Sequence, residues 1–356
     1  MGGVTGLDVG GANTKAVWRD GDEVRAVTRP YEVWHDRDGL IALLREVSAA
    51  LPAPERIALT MTAELSDAFR TKREGVAFVL DAAEAALPAP LSVMTTAGEL
   101  VSVAEARARP LAVAAANWMA AALAVAAVHP DALMLDVGST TADVIPIAGG
   151  RVAATGRDDL SRLLAGELVY TGALRTNLAT VAACVPVGGE WCPVASELFA
   201  TSADVHLVLG HLAPGDCTCP MADGRPADVE HARERIARLV CADAEQLGAD
   251  AIERIAEYLH AEQVTQIAAA ARRVTEATAR RAADAAAGKA GETAARPVAE
   301  AAARQVGEAP IVPLGGGAFL ARAAAARLGR SVLEMPWSEA ERGAAPAAAL
   351  ARLARC

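Results

Sequence analysis

"LDVGGANTKAVW", Leu7 to Trp18, sets an acid, two glycines, an amide, a hydroxyl and a lysine inside an otherwise strand-forming run. Burying such a cluster is costly unless its polar groups are used. A second stretch, "LMLDVGSTTADVIPI" from Leu133 to Ile147, repeats aspartate, valine, glycine and small polar residues in the same order. Each reads as a strand, a tight turn and a returning strand. Backbone N–H groups in such a turn are fixed dipoles that bind phosphate without a desolvated cation, and glycine lets the backbone come close. In the first hairpin Gly10 and Gly11 meet that need, Asn13 and Thr14 are donors, and Lys15 supplies charge. Gly138, Ser139, Thr140 and Thr141 repeat the arrangement. Asp8 and Asp136 end their strands, where a carboxylate holds Mg²⁺ through water. One such turn alone is an ordinary hairpin. Two of them, followed by "PLGGGAFLA" with Gly315, Gly316 and Gly317 at a strand-to-helix turn, point to a polyphosphate and its metal clamped between two duplicated lobes. For the glycine run, tight packing stays open as the other reading.

The chain has 356 residues, of which 53% are hydrophobic and only 3% aromatic, so its core must be aliphatic and alanine-rich. With 34 basic against 44 acidic residues the formal charge is −10, which repels nucleic acid and anionic membrane. Neither is an expected partner. The first strand already carries Asp8, so no secretory signal is read there. The most apolar run, Ala112 to Val128, contains Asn117 and ends at His129-Pro130. Six cysteines in a chain this long do not form a disulfide framework, which predicts a cytoplasmic protein with reduced thiols.

Periodicity predicts helices over Leu40–Ala50, in "REGVAFVLDAAEAAL" and from Ala112 to Val128, with strands at "RIALTMT" and "LSVMTTAGEL". The pattern restarts after Pro130, which places an N-terminal lobe at 1–130 and a C-terminal lobe at 131–338. A helical insertion is expected at about 190–305, and a closing helix at 339–356 that returns to the first lobe. Past Arg157 the chain reads as helical, with a break at Gly172. Ile267, Ala271 and Val274, then Val298, Ala302 and Val306, have the spacing of a solvated helix pair. Cys192, His206, His211, Cys217 and Cys219 lack a standard zinc spacing, and thiols without metal are the preferred reading.

The chain resembles the superfamily of actin, sugar kinases and heat-shock chaperone ATPases, on the order and spacing of the two hairpins and the glycine run. Within it the resemblance is to the hydantoinase/oxoprolinase branch. More narrowly it is to short proteins linked to tetrahydromethanopterin-dependent one-carbon transfer, which are related to a methanofuran-biosynthesis enzyme. The carrying stretches are "LDVGGANTKA", "MTAELSDAFRTKREGV", "AAANWMA", "LDVGSTTADVIPI", "ELVYTGALRT", "ASELFATSADV", "ADGRP" and "LGGGAFLA". The resemblance implies an α/β protein of the actin-like ATPase (ribonuclease H-like) fold, with two duplicated lobes and a cleft between them. It implies a transferase that condenses an aminomethylfuran-methyl diphosphate with the phenol of a tyramine- or tyrosine-derived acceptor, releasing pyrophosphate. Mg²⁺ is the expected cofactor. Two alternatives stay open: an ATP-dependent kinase or hydantoinase-like hydrolase, and a non-catalytic nucleotide-binding regulator. ATP belongs only to these.

The same resemblance assigns Lys72 and Arg73 to an anionic substrate, and Glu64 or Asp67 to acid–base or metal work. Read from the residues alone, these charges are equally a solvated helix start. Asn117 is a substrate contact or a core hydrogen bond, and Arg175 a second anion ligand. Glu197, Thr201 and Asp204 lie near one helical face and are further candidates for a base, with none preferred. Association with copies of itself is left open.

Overall fold

The computed structural model describes residues 2–287 and 307–355. Its chain divides into two compact units, residues 1–134 with 145–165 and 334–356, and residues 135–144 with 166–333. The two crossings expected, near Pro130 and before the closing helix, become four, because 145–165 turns back into the first unit. Residues 345–353 also lie in that unit, as a helix packed on its sheet.

The first unit opens with β1 (Val4–Val9), β2 (Asn13–Asp20), β3 (Glu23–Pro30), α1 (Leu40–Ala49), β4 (Arg56–Met61) and α2 (Lys72–Ala86). β5 (Leu91–Met94), β6 (Leu100–Ser102), α3 (Val103–Ala108), α4 (Pro110–Val113) and α5 (Asn117–Val128) follow. The strands order as β3-β2-β1-β4-β5-β6, with β1–β4 and β4–β5 parallel. Side chains alternate across a strand. Leu7, Val9, Leu59 and Met61 therefore face one core with Leu44, Val76 and Leu80. Gly6 and Val17 face the helix Ala345–Leu353. A Cβ on Gly6 would overlap Ala347 O, so strand and alanine-rich helix meet backbone to backbone.

The helix expected from Ala112 to Val128 is broken. α4 ends at Val113, α5 starts at Asn117, and Ala115 sits at φ 49°. Ala114 instead makes a parallel bridge to Met61, extending the sheet edge where helix propensity alone favours continuation.

β7 (Ala132–Val137) and β8 (Ala142–Ala148) carry the chain into and out of the second unit. β9 (Arg151–Val152) and α6 (Asp159–Ala165) belong to the first unit. The second unit continues with β10 (Leu168–Val169), β11 (Cys184–Val187), β12 (Glu190–Pro193), α7 (Ser202–Val208), α8 (Val229–Arg238), α9 (Ala244–Leu247) and α10 (Ala249–Ala287). β13 (Ile311–Leu314) and a helix at Ala318–Arg327 complete it. Its sheet runs β10-β8-β7-β13. Around Gly172 the chain forms a turn after β10, where the sequence reads as a broken helix. Ile267, Ala271 and Val274 are buried along α10, while Val298, Ala302 and Val306 lie outside the described residues. No helix among the described residues is long and apolar enough to cross a membrane.

Gly6→Ala is expected to separate helix and strand at a cost of about 1–3 kcal/mol. The readout is a lower urea midpoint at unchanged slope; an unchanged midpoint means that the helix does not rest on Gly6.

Candidate functional site

The two hairpins close with the same hydrogen bond at matching positions. Gly10 N donates to Asn13 O at 3.0 Å, and Gly138 N to Thr141 O at 2.8 Å. The carbonyls of each turn are held from behind. Val33 N donates to Gly11 O at 3.1 Å and Tyr31 N to Ala12 O at 3.0 Å. In the second turn, Ala173 N donates to Gly138 O at 2.9 Å, while Leu174 N and Arg175 N reach Ser139 O at 3.0 and 2.9 Å. The amides of Gly11, Ala12, Ser139 and Thr140 make no hydrogen bond among the described residues. A turn with anchored carbonyls and uncommitted N–H groups is an anion-binding concavity. Gly10 is required, since a Cβ there would overlap Asn13 O, whereas Gly138 has room for one.

Asp8 and Asp136 are both buried at their strand ends. In the ladder Asp8 pairs with Lys15 and Thr60, which puts the three on one sheet face. Thr60 Oγ1 is buried there without a hydrogen-bond partner among the described residues. The other expected donors of the first hairpin differ in placement. Lys15 Nζ donates to Gly343 O at 3.0 Å, so its ammonium is engaged with the end of the helix Glu339–Gly343. Thr14 pairs with Val9 and so lies on the opposite face, fully buried, because alternation after the turn reverses its side. Asn13 keeps a buried Oδ1 with no partner among the described residues.

The glycine run is divided in purpose. Gly315 has φ +79°, and a Cβ on it would overlap Val137 O and Asp136 Oδ1; one on Gly317 would lie 2.6 Å from Val137 Cγ1. Both therefore serve close packing against the end of β7, the reading left open for the run. Gly316 alone faces open space. Gly315→Ala should cost about 1–3 kcal/mol through backbone strain, while Gly316→Ala should stay within about 0.5 kcal/mol, both by chemical denaturation. Equal effects would contradict this division.

Of the two acids in "MTAELSDAF", Glu64 is 1% exposed and Asp67 is exposed. Neither Glu64 oxygen has a hydrogen-bond partner among the described residues. Burial pushes its carboxyl up to about 8, with Asp159 adding to the rise. The amides of Glu64 itself and Ala115 and the charge of Lys72 pull the other way, though neither amide reaches hydrogen-bonding geometry. Gly75, in the first turn of α2, lets that helix lie on Glu64, since a Cβ would come within 2.6 Å of Glu64 Cα. Lys72 Nζ lies 2.6 Å from Asp159 Oδ2, and Arg73 is exposed. Asn117 is half-buried at the start of α5, beside the strained Ala115. Asp159, Gly75, Thr60 and Ala115 were not singled out from the sequence.

A group held neutral by the fold binds its proton more tightly when folded than when unfolded. Glu64 therefore takes nothing from stability below its ordinary value of 4.5, and its penalty grows as pH rises to about 8. Glu64→Gln should flatten that decline in denaturation curves recorded from about pH 5 to about pH 9. An identical decline in both proteins rules Glu64 out as its source.

Among the other candidates, Asp204 is committed elsewhere. Asp204 caps α7 at Thr201 N (2.8 Å) and pairs with Arg235 at 2.7 Å, both side chains fully buried. Burial holds its carboxyl at about 6, against the hydrogen bond from Thr201 and the charge of Arg235. Glu197 is exposed and Arg175 half-buried. Among the described residues no group of histidine, cysteine or acid side chains has the arrangement of a metal site. The rings of His206, His211 and His260 pack on one another and on Phe319 instead.

Residues 55–355 match the hydantoinase/oxoprolinase family, a span that begins after the first hairpin. The chain is similar to (4-{4-[2-(gamma-L-glutamylamino)ethyl]phenoxymethyl}furan-2-yl)methanamine synthase of Methanocaldococcus jannaschii. The two are 36% identical over 258 residues, 72% of this chain and 77% of that one. A protein of the same description from Methanococcus vannielii is 38% identical over 123 residues, 35% of this chain and 55% of that one. Among solved structures, a nucleotide-free acetone carboxylase aligns over 98% of this chain and 70% of its own, at a TM-score of 0.52 and 12% identity. That likeness concerns the fold, which is of the actin-like ATPase type.

Proposed function

The chain belongs to the hydantoinase/oxoprolinase family, and on that footing we propose that it forms an aryl–alkyl ether, condensing an aminomethylfuran-methyl diphosphate with a tyramine- or tyrosine-derived phenol. The observation that carries this reading is the 36% identity to a synthase whose product is named as a phenoxymethylfuran. Such a product joins a phenolic oxygen to a furan-bound methylene, so a leaving group must depart from that methylene. Diphosphate suits turns whose carbonyls are taken by other amides while their own N–H groups make no hydrogen bond among the described residues.

The phenolic O–H gives its proton to the Glu64 carboxylate, its oxygen bonds the methylene carbon, and the carbon–oxygen bond to diphosphate breaks. The bonding pair leaves with pyrophosphate. The furan ring delocalises positive charge on the methylene, so positioning and electrostatics supply most of what is needed. The amides of each loop suit diphosphate oxygens, and Lys72 suits their charge. The oxygen donors around Asp8, Thr60 Oγ1 among them, suit a hard cation rather than a soft one. Asp8 in the first turn, and Asp136 in the second, are the acids that would hold Mg²⁺ through water, and it would neutralise charge on the leaving group when bound.

Purified protein given both substrates should release pyrophosphate and the ether, followed by mass spectrometry; ATP turnover without ether would overturn the reading. Asp8→Ala is expected to lower kcat by about 100-fold or more with Tm retained, and a near-normal kcat would remove Asp8 from the site. Because the base works deprotonated, kcat should rise with pH through about 8 and lose that limb in Glu64→Gln.

A further inference from the structure

Behind the second turn stands a buried polar chain that neither hairpin sequence contains. Gln263, on α10 and 2% exposed, has Nε2 at 2.9 Å from Thr171 Oγ1 and 2.8 Å from Gly172 O. A carbonyl only accepts, so the amide's orientation is fixed. Its Oε1 then faces His206 Nε2 at 3.0 Å, which must carry the proton. His206 is fully buried, its Nδ1 has no partner among the described residues, and burial holds the ring neutral, at about 3. Ser202 Oγ (2.8 Å) and Thr176 Oγ1 (3.2 Å) also donate to Gly172 O.

Gly172 is where this chain meets the loop. A Cβ on it would come within 2.5 Å of Thr140 N and 2.6 Å of Ser139 C, so the two backbones are in direct contact. The next three residues send their amides to Gly138 O and Ser139 O. Movement of the 171–172 turn therefore re-aims the Ser139 and Thr140 amides.

We propose that Gln263 is a positioning residue for the second loop, fixing the Thr171–Gly172 turn and through it the anion-facing amides of Ser139 and Thr140. The long helix α10 thus acts on the diphosphate without touching it. This rests on the diphosphate reading above.

Isothermal titration of the full chain with magnesium pyrophosphate tests it. Gln263→Met keeps the volume and removes the hydrogen bonds, and should weaken Kd by about 10-fold. Ile255→Ala, in the apolar core around the same helix, should lower Tm while leaving Kd within about twofold. Thr171→Val removes one acceptor only, and should weaken Kd by about threefold even where Gln263→Met does not fold. Kd unchanged in Thr171→Val and in a folded Gln263→Met overturns the positioning role, as does an equal weakening in Ile255→Ala. Absence of pyrophosphate binding by the wild-type protein overturns the diphosphate reading and this inference with it.

Discussion

Everything at the candidate site depends on where two turns send their carbonyls. A tight turn has equal numbers of N–H and C=O groups, and each must find a partner or face water. Here the carbonyls of Gly11, Ala12, Gly138 and Ser139 are taken by amides from later segments. What is left over is a set of donors of one sign, held rigid by the hydrogen bonds on their other side. Such preorganised dipoles lose little to reorganisation when an anion arrives.

The hairpins share a closing bond but not their supports. The first rests on the extended segment at Tyr31 and Val33, directly after β3. The second rests on 173–175, which is itself braced from the long helix of the insertion. Their glycine requirements also differ, since Gly10 has no space for a side chain and Gly138 does. Two turns with the same hydrogen-bonding pattern thus stand on different scaffolds.

The hairpins were legible because turn chemistry is local: Asp8, Gly10 and Asn13 lie within a few residues of one another. The break at Ala115 was not, because three alanines in succession have the highest helix propensity available, and only the bridge from Ala114 to Met61 overrides it. The ion pair of Lys72 with Asp159 spans 87 residues, a distance over which no spacing rule operates. Gly75 looks like a weak point in a helix until Glu64 is found against it. Thr14 and Lys15 were read as phosphate ligands from their place in the hairpin, but strand parity turns Thr14 to the other face and the carbonyl of Gly343 engages Lys15. The glycine run was legible as a constraint and only partly as a pocket, since two of its three members are needed for packing.

The helix Ala345–Leu353 covers the sheet face that begins at β1. On a translating ribosome the strand emerges before the intervening unit and its covering helix after it. The intervening unit, 135–144 with 166–333, has its whole sequence available earlier. Co-translational order is thereby inverted relative to the usual N-terminal-first pattern: the intervening unit can mature while these strands wait, their inner face wet, for the helix that covers them.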